Sequence, residues 1–422
     1  MSRNKFSMIR TGLMAAATVV VGASAANAAG FYIQEQSVRG LGSAFSGSTT
    51  TLNDASTVYF NPAGMTQLPG LQAQAGVHVI IPDSKVKDTG TTAGTAAGLP
   101  LGGSSGNPYD ATPVPNGFVT YQATNNLWLG LGVTAPFGLA SDYGSTWFGR
   151  FDSTKTELAV IDVQPTIAYK INDQWSIGGG MNIQHASANL QNNVVLGAGV
   201  EGNSKLSGDD FGYGYSLGIQ YKPWESTTFG LSYKSEVHHE LDGDIEVKLL
   251  SGATVAAATS GGSAKLNTPD HLTLGGAHKV TDRLTLQGQA TWFGWSNFDQ
   301  IQAVRDSGAV ASTVQQNYQN TWAFAVGAEY MVNDAWTVRG GLQFDETPTT
   351  DEFRTSRTPD GDRTWVSLGA TYGLNDKIDL DMAATYIDVE DGTINVARGN
   401  GTMTADTEGS VGILALGMTY KF

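Results

Sequence analysis

The sequence predicts an all-β protein, a 14-stranded antiparallel transmembrane β-barrel wrapped around a plug made by its own N-terminus. Fourteen segments alternate apolar with small or polar side chains, the period-two pattern of a strand with one face in lipid and one in a lumen. The connections alternate strictly between short Asn/Asp turns and long polar loops, as they must when one end of each strand pair faces the periplasm and the other the outside. The last segment carries Leu414, Leu416, Met418, Tyr420 and Phe422 on one face and so ends on an aromatic anchor. No stretch after residue 28 approaches the roughly 18 apolar residues that a membrane helix needs. A closed barrel is the other structure that satisfies every backbone group in lipid.

Residues 1–28 read as a secretory signal, with Arg3, Lys5 and Arg10 in the basic region, an apolar run over 12–21, and a small-x-small cleavage site at Ala26, Asn27 and Ala28. The expected mature chain begins at Ala29. Residues 29–70 are rich in Gly, Ser and Ala and do not alternate. This run ends in Asn61, Pro62, Ala63, Gly64 and Met65, whose Asn-Pro and Ala-Gly steps pin tight turns. Such a segment folds compactly only inside an enclosure, which divides the mature chain into a plug over 29–70 and a barrel with extracellular loops over 71–422.

Strands are expected at 71–81, 116–123, 127–134, 157–170, 175–188, 210–221 and 227–239. They continue at 271–279, 284–295, 320–331, 335–344, 363–372, 377–388 and 409–422. Turn pairs such as Asn125-Asn126 and Asn333-Asp334 join them at the periplasmic end. Loops over 83–115, 136–156, 191–209, 241–270, 297–319, 345–362 and 389–408 fall at the extracellular end. Aromatic residues at strand ends, among them Trp128, Trp175, Tyr221, Trp336 and Tyr372, stand where a headgroup girdle needs them. A soluble β-sandwich or propeller would require the export signal, the terminus and the alternation of turn with loop all to be coincidental.

The formal charge of −15 falls to −18 when Arg3, Lys5 and Arg10 leave with the signal, which argues against nucleic acid as a partner. The chain has no cysteine, so no disulfide framework is available to the exported protein. Its six histidines show no metal-ligand spacing, and no catalytic residue, metal ion or cofactor is expected. Loop acids such as Asp209-Asp210 and Asp351-Glu352 read as solvated charge ahead of divalent bridges to lipopolysaccharide.

Several motifs carry a family resemblance. Ala29-Gly30-Phe31, Gly40-Leu41-Gly42-Ser43-Ala44, Asp54-Ala55-Ser56 and Asn61-Pro62-Ala63-Gly64-Met65 resemble, in order and spacing, the N-terminal hatch of the FadL family. Further matches are Pro136-Phe137-Gly138-Leu139, Trp147-Phe148-Gly149-Arg150 and Pro359-Asp360-Gly361-Asp362-Arg363. The resemblance implies a non-enzymatic outer-membrane transporter of long-chain fatty acids or, as in relatives, of aromatic hydrocarbons. It implies capture in a groove between extracellular loops, a pocket beside the hatch, and release sideways through a kinked third strand. The final strand resembles the signal that the barrel assembly machinery reads on its clients, and the outward faces would meet outer-membrane lipid and lipopolysaccharide.

On that expectation Phe31, Ile33, Phe45, Tyr59 and Phe60 form the apolar wall of the hatch pocket, and Asn61, Pro62, Ala63 and Gly64 the hatch motif. Pro136, Phe137 and Gly138 are the kink, because proline cannot donate to the ladder and glycine weakens it. The unusually apolar loop with Ile245, Val247, Leu249 and Leu250 is the outer groove. For a fatty acid, Lys234 and Arg339 on the lumen side are the expected carboxylate contacts. The inward set on the fifth strand, Asn182, Gln184, Ala186 and Ala188, holds no cation, which leaves room for an uncharged aliphatic or aromatic hydrocarbon. A general porin for polar solutes is a further alternative and needs an open lumen.

Overall fold

A computed structural model describes residues 30–422, so the export signal expected at residues 1–28 lies outside the described residues. The strands are β1 Leu71–Asp88, β2 Thr112–Gln122, β3 Leu127–Asp142, β4 Lys155–Lys170, β5 Trp175–Gly197 and β6 Val200–Trp224. Next come β7 Thr227–Lys234, β8 Val237–Leu249, β9 Ser260–Thr268, β10 His271–Lys279, β11 Leu284–Phe293 and β12 Gln300–Arg305. The rest are β13 Val310–Gln315, β14 Thr321–Met331, β15 Trp336–Asp345, β16 Arg363–Asn375, β17 Ile378–Arg398 and β18 Gly401–Lys421. All but β8, β9, β12 and β13 form one antiparallel ring in chain order, in which β7 pairs with β10, β11 with β14, and β18 closes on β1. That ring has the 14 strands expected from the alternating segments.

Alternation sorts the side chains as a barrel in lipid requires. On β18, Leu414, Leu416 and Met418 face outward and are exposed, whereas Val411, Ile413 and Ala415 face the lumen and are buried against the hatch. The wide outer belt of exposed apolar residues, which would be a liability in water, is the lipid-facing surface. At the periplasmic end Trp175 stacks on Tyr221 and Trp336 on Tyr372, with ring centroids 4.2 and 4.7 Å apart. The short turns share a device. Asn172 Oδ1 accepts the N–H groups of Gln174 and Trp175, and Asn333 Oδ1 those of Ala335 and Trp336.

Several expected loops are instead sheet. The spans 191–209 and 389–408 continue the β5–β6 and β17–β18 hairpins almost to their tips. The span 241–270 contains most of β8 and β9, and 297–319 contains β12 and β13, which together stand above the ring. These extensions stand outside lipid and are rich in polar and charged residues, while the backbone ladder goes on and β8 keeps a period-two pattern. The expected strand over 227–239 is interrupted at Ser235 and Glu236, where β7 ends and β8 begins on a different stretch of β6. The third strand, expected to end at residue 134, runs on to Asp142.

Residues 30–70 fill the lumen. Ser37 caps the short helix Val38–Gly42, its side chain accepting the Gly40 N–H. A second helix covers Thr57–Phe60, and a 3-10 helix covers Pro62–Gln67. The hatch motif opens that last helix. Asn61 Oδ1 accepts the Ala63 N–H at 3.1 Å, while its amide donates to Thr49 O and to Ile219 O of the wall at 3.0 and 3.1 Å. The wall has glycine where this turn lies against it, since a Cβ at Gly178 would sit 2.6 Å from Ala63 N and one at Gly218 2.1 Å from Asn61 Oδ1. Arg39 anchors the other side, 2.8 Å from Asp379 and 2.9 Å from Asp381 of β17 and 3.5 Å from Asp54 of the hatch.

Candidate ligand cavity and wall opening

The wall is broken at β3. Pairing of β2 with β3 stops at Gly117 opposite Val133, and the register of β3 against β4 slips between Thr134 and Phe137. Pro136 lies inside that slip. The edge of β3 freed from β2 is taken by the first residues of the hatch. Ile33 N donates to Pro136 O at 2.7 Å, Gly138 N donates to Phe31 O at 2.9 Å, and Tyr32 bridges Phe137. Gln36 completes the seam, its Nε2 donating to Ala135 O at 2.9 Å and its Oε1 accepting the Ala135 N–H at 3.3 Å. Gly138 is needed for the approach, because a Cβ there would lie 2.8 Å from Ile33 Cδ1. A six-residue piece of the plug thus substitutes for the missing neighbour strand.

Beside this seam lies a narrow cavity of about 60 Å3, walled by Leu139, Leu158, Leu190, Leu206, Leu241 and Leu266, with Phe31 reaching in from the hatch. Phe31 sits in an aromatic box with Phe137, Trp295 and Phe298 at centroid distances of 5.9, 4.8 and 5.1 Å. Two cations border the apolar wall, Lys265, which is exposed, and Arg357, which is buried. Arg357, on the loop between β15 and β16, is only 6% exposed and makes no ion pair among the described residues. Its guanidinium spends its donors on long contacts of 3.2 to 3.4 Å to Thr156 and Ser153 hydroxyls, Asn192 Oδ1 and the Lys155 and Gln191 carbonyls. The nearby acid, Asp152, is occupied by Arg398 at 2.8 Å and by Ser356. Burial pushes the Arg357 group down to about 10 against the pull of Asp152, so it remains a cation at neutral pH. A buried cation without a carboxylate is costly and receptive to an anion.

A second, more polar depression opens above. It is lined by Ile245, Val247, Arg305 and Arg398, and shares Leu190, Leu206, Ile301 and Arg357 with the narrow cavity. Arg357 therefore stands between outer depression and inner cavity.

The sequence-derived residues divide between these places. Phe31 lines the cavity and Ile33 packs at the seam. Phe45, Tyr59 and Phe60 do not line it; they belong to a separate core with Trp365 and Val58, where Phe45 and Phe60 centroids are 5.6 Å apart. Ile245 and Val247 line the outer depression, whereas Leu249 and Leu250 do not and Leu250 is exposed. Lys234 is buried with its Nζ 3.0 Å from the centre of the Tyr59 ring and 3.3 Å from Gln164 Oε1, away from the cavity. Arg339 is spent on Glu329 at 2.7 Å and on Thr371, because those three meet across neighbouring strands. Two functional candidates escaped the sequence. Arg39 immediately precedes the motif Gly40-Leu41-Gly42-Ser43-Ala44. Arg357 had a faint signal, its position next to Pro359-Asp360-Gly361-Asp362-Arg363.

A closed barrel, a lumen filled by the N-terminus, an apolar cavity and a hatch-sealed gap in the wall define an outer-membrane transporter of hydrophobic compounds. The chain belongs to the outer membrane protein transport family OMPP1/FadL/TodX, whose model matches residues 19–422. The family is one of transporters, not enzymes. The chain is similar to the long-chain fatty acid transport protein of Escherichia coli O6:H1, 26% identical over 430 residues that cover 93% of this chain and 94% of that one. Among solved structures it resembles a Pseudomonas aeruginosa FadL homologue, with a TM-score of 0.88, 25% identity and coverage of 93% of this chain and 100% of that chain. The Pseudomonas putida toluene transporter TodX shares the fold at a TM-score of 0.71 and 18% identity, covering 94% of this chain and 100% of that one.

Proposed function

We propose that the protein carries long-chain fatty acids passively across the outer membrane. The observation that carries this reading is Arg357, a buried guanidinium without an ion-pair partner among the described residues, in the wall of a largely apolar cavity whose other cation, Lys265, is exposed. A pure hydrocarbon gains nothing from such a group, while a carboxylate gains a charge-assisted hydrogen bond and relieves the cation. The named activity of the Escherichia coli relative supports the same choice. The acid enters by the outer depression, passes Arg357 with its tail among Leu158, Leu206 and Leu241, and leaves past Phe31 through the gap at Pro136, Phe137 and Gly138. Residues 1–28 are removed as the signal, residues 29–70 act as the hatch, and the strand ending in Phe422 is the one read by the assembly machinery.

The test compares a long-chain acid with the matching alcohol. Arg357→Met should weaken binding of the acid about tenfold or more, since a hydrogen bond to a charged group contributes roughly 1.5–3 kcal/mol, and should leave the alcohol nearly unchanged. Equal losses would point to a cargo held by its tail, the hydrocarbon reading favoured by the apolar remainder of the wall. Swelling of liposomes in small sugars tests the porin alternative, and fast sugar entry through the intact protein would overturn the proposal.

A further inference from the structure

Between the first hatch residues and the wall lies a buried group of ionisable side chains that the route above does not use. Glu35, 1% exposed, has its Oε2 without a hydrogen-bond partner among the described residues. Facing it are Asp345 at the end of β15, with an equally unpartnered Oδ1, and Arg363 at the start of β16, whose Nε and Nη1 are unpartnered. Among the described residues, Arg363 Nη2 is its one engaged nitrogen, held by Asp360. Asp360 also accepts the Gly30 N–H at 2.8 Å, so the same group holds the start of the hatch. Asp362 and the hydroxyls of Tyr32, Tyr59, Tyr109 and Tyr318 also lie around this acid cluster, and Arg354 Nε donates to the Asp360 carbonyl at 2.7 Å. Three buried carboxyl groups therefore crowd one guanidinium, and burial of a carboxyl oxygen that has no partner favours the neutral form of Glu35. Glu35 is the member carried on the strand that closes the wall gap.

We propose that Glu35 makes the N-terminal hatch strand a proton-dependent latch, closed on β3 while Glu35 carries a proton and released once Glu35 ionises. In the closed strand, burial pushes Glu35 up to about 7, opposed by backbone N–H groups and Arg363. A displaced strand returns the carboxyl to water and to an ordinary value of about 4.3. The closed form thus binds the proton more tightly. Its advantage is full below about pH 4.3, falls as the pH rises through that interval, and is gone above about 7. The proton leaves to lumenal water, and the carboxylate follows it out of the low-dielectric seam.

Because the chain has no cysteine, one introduced thiol reports on the strand in the full-length protein in liposomes. Ile33→Cys places it under the seam, and Ser104→Cys, on an exposed loop, corrects for the pH dependence of the reagent. The normalised labelling rate should rise tenfold or more between about pH 5 and about pH 8. Adding Glu35→Gln, which keeps shape and neutrality, should hold the rate low and flat. Asp345→Asn, which keeps Glu35 but removes a neighbouring negative charge, should shrink the rise and provides the test should the first variant misfold. A flat profile with Glu35 present, or the same rise with glutamine in its place, overturns the latch. No ligand takes part, so the outcome is independent of whether the cargo is a fatty acid.

Discussion

The body of the hatch and its residues 31–36 meet the barrel in different ways. The body is tied by charge and by side-chain amides: Arg39 to Asp379 and Asp381, Asn61 to Ile219 O, Gln164 Nε2 to Val58 O at 2.8 Å, and Gln220 Nε2 to Thr49 O at 2.8 Å. Residues 31–36 lean on the edge of β3 mainly through four main-chain or amide hydrogen bonds, with Gln34 Oε1 accepting from Gln343 at 2.9 Å. Releasing a residue returns about 1–2 kcal/mol of backbone entropy, comparable to the net value of a neutral hydrogen bond but well short of a buried ion network. The difference separates a fixed wall from a displaceable seal over the gap in that wall.

Two crosslinks set this comparison against the largest expected effect. Cysteines at Tyr32 and Phe137, directly opposite in the bridge, should lock the seal and reduce uptake to background, with recovery on reduction. Cysteines at Val38 and Gly417 lock the body instead. The Val38 Cβ is 3.4 Å from the position of a Cβ at Gly417, close to the roughly 3.5–4.5 Å that a disulfide spans. Uptake should continue in this second protein. Were the body lock to stop transport and the seal lock to spare it, the roles of the two regions would be reversed.

How much of this could be read in the sequence depends on where each part sits relative to lipid. The ring was legible because its strands must alternate, and Pro136 with Gly138 marked the broken strand because neither suits a continuous ladder. The cavity was not. Leu139, Leu206, Leu241 and Leu266 lie in long polar spans that read as loops, although β8 keeps a period-two pattern through Leu241, Ile245 and Val247. Arg357 was hidden for a related reason: a loop arginine announces nothing until folding buries it beside leucines. Arg339 shows the converse, a lumen-side cation correctly placed by periodicity but neutralised by Glu329 from the adjacent strand, a pairing that depends on register.

Arg39 gives the next effect in size. In Arg39→Ala, Lys421 still pairs with Asp379 at 2.8 Å, but Asp54 and Asp381 remain buried without their cation. Breaking a buried pair by removing one partner costs about 3–5 kcal/mol, so thermal unfolding should shift clearly downward. A loosened body should also let small sugars pass in a swelling assay. Unchanged stability and a tight lumen would mean that the amide ties hold the body alone.

The smallest effect sharpens the comparison most, since it touches the seal through one methyl group. Gly138→Ala places a Cβ 2.8 Å from Ile33 Cδ1 and 3.4 Å from Leu158 O. The isoleucine tip is the part able to yield, at a cost of about 0.5–1.5 kcal/mol for an off-rotamer side chain. That strain weighs on the closed seal only, so the Ile33 and residue-138 amides, both hydrogen-bonded across the seam, should exchange with solvent a few-fold to about tenfold faster. The Leu41 amide, bonded to Ser37 O at 2.9 Å within the body, should exchange at its original rate. Adding Ile33→Val removes the clashing carbon and should restore slow exchange at the seam. If Leu41 accelerated together with Ile33, the hatch would open as one unit and the division into wall and seal would fail.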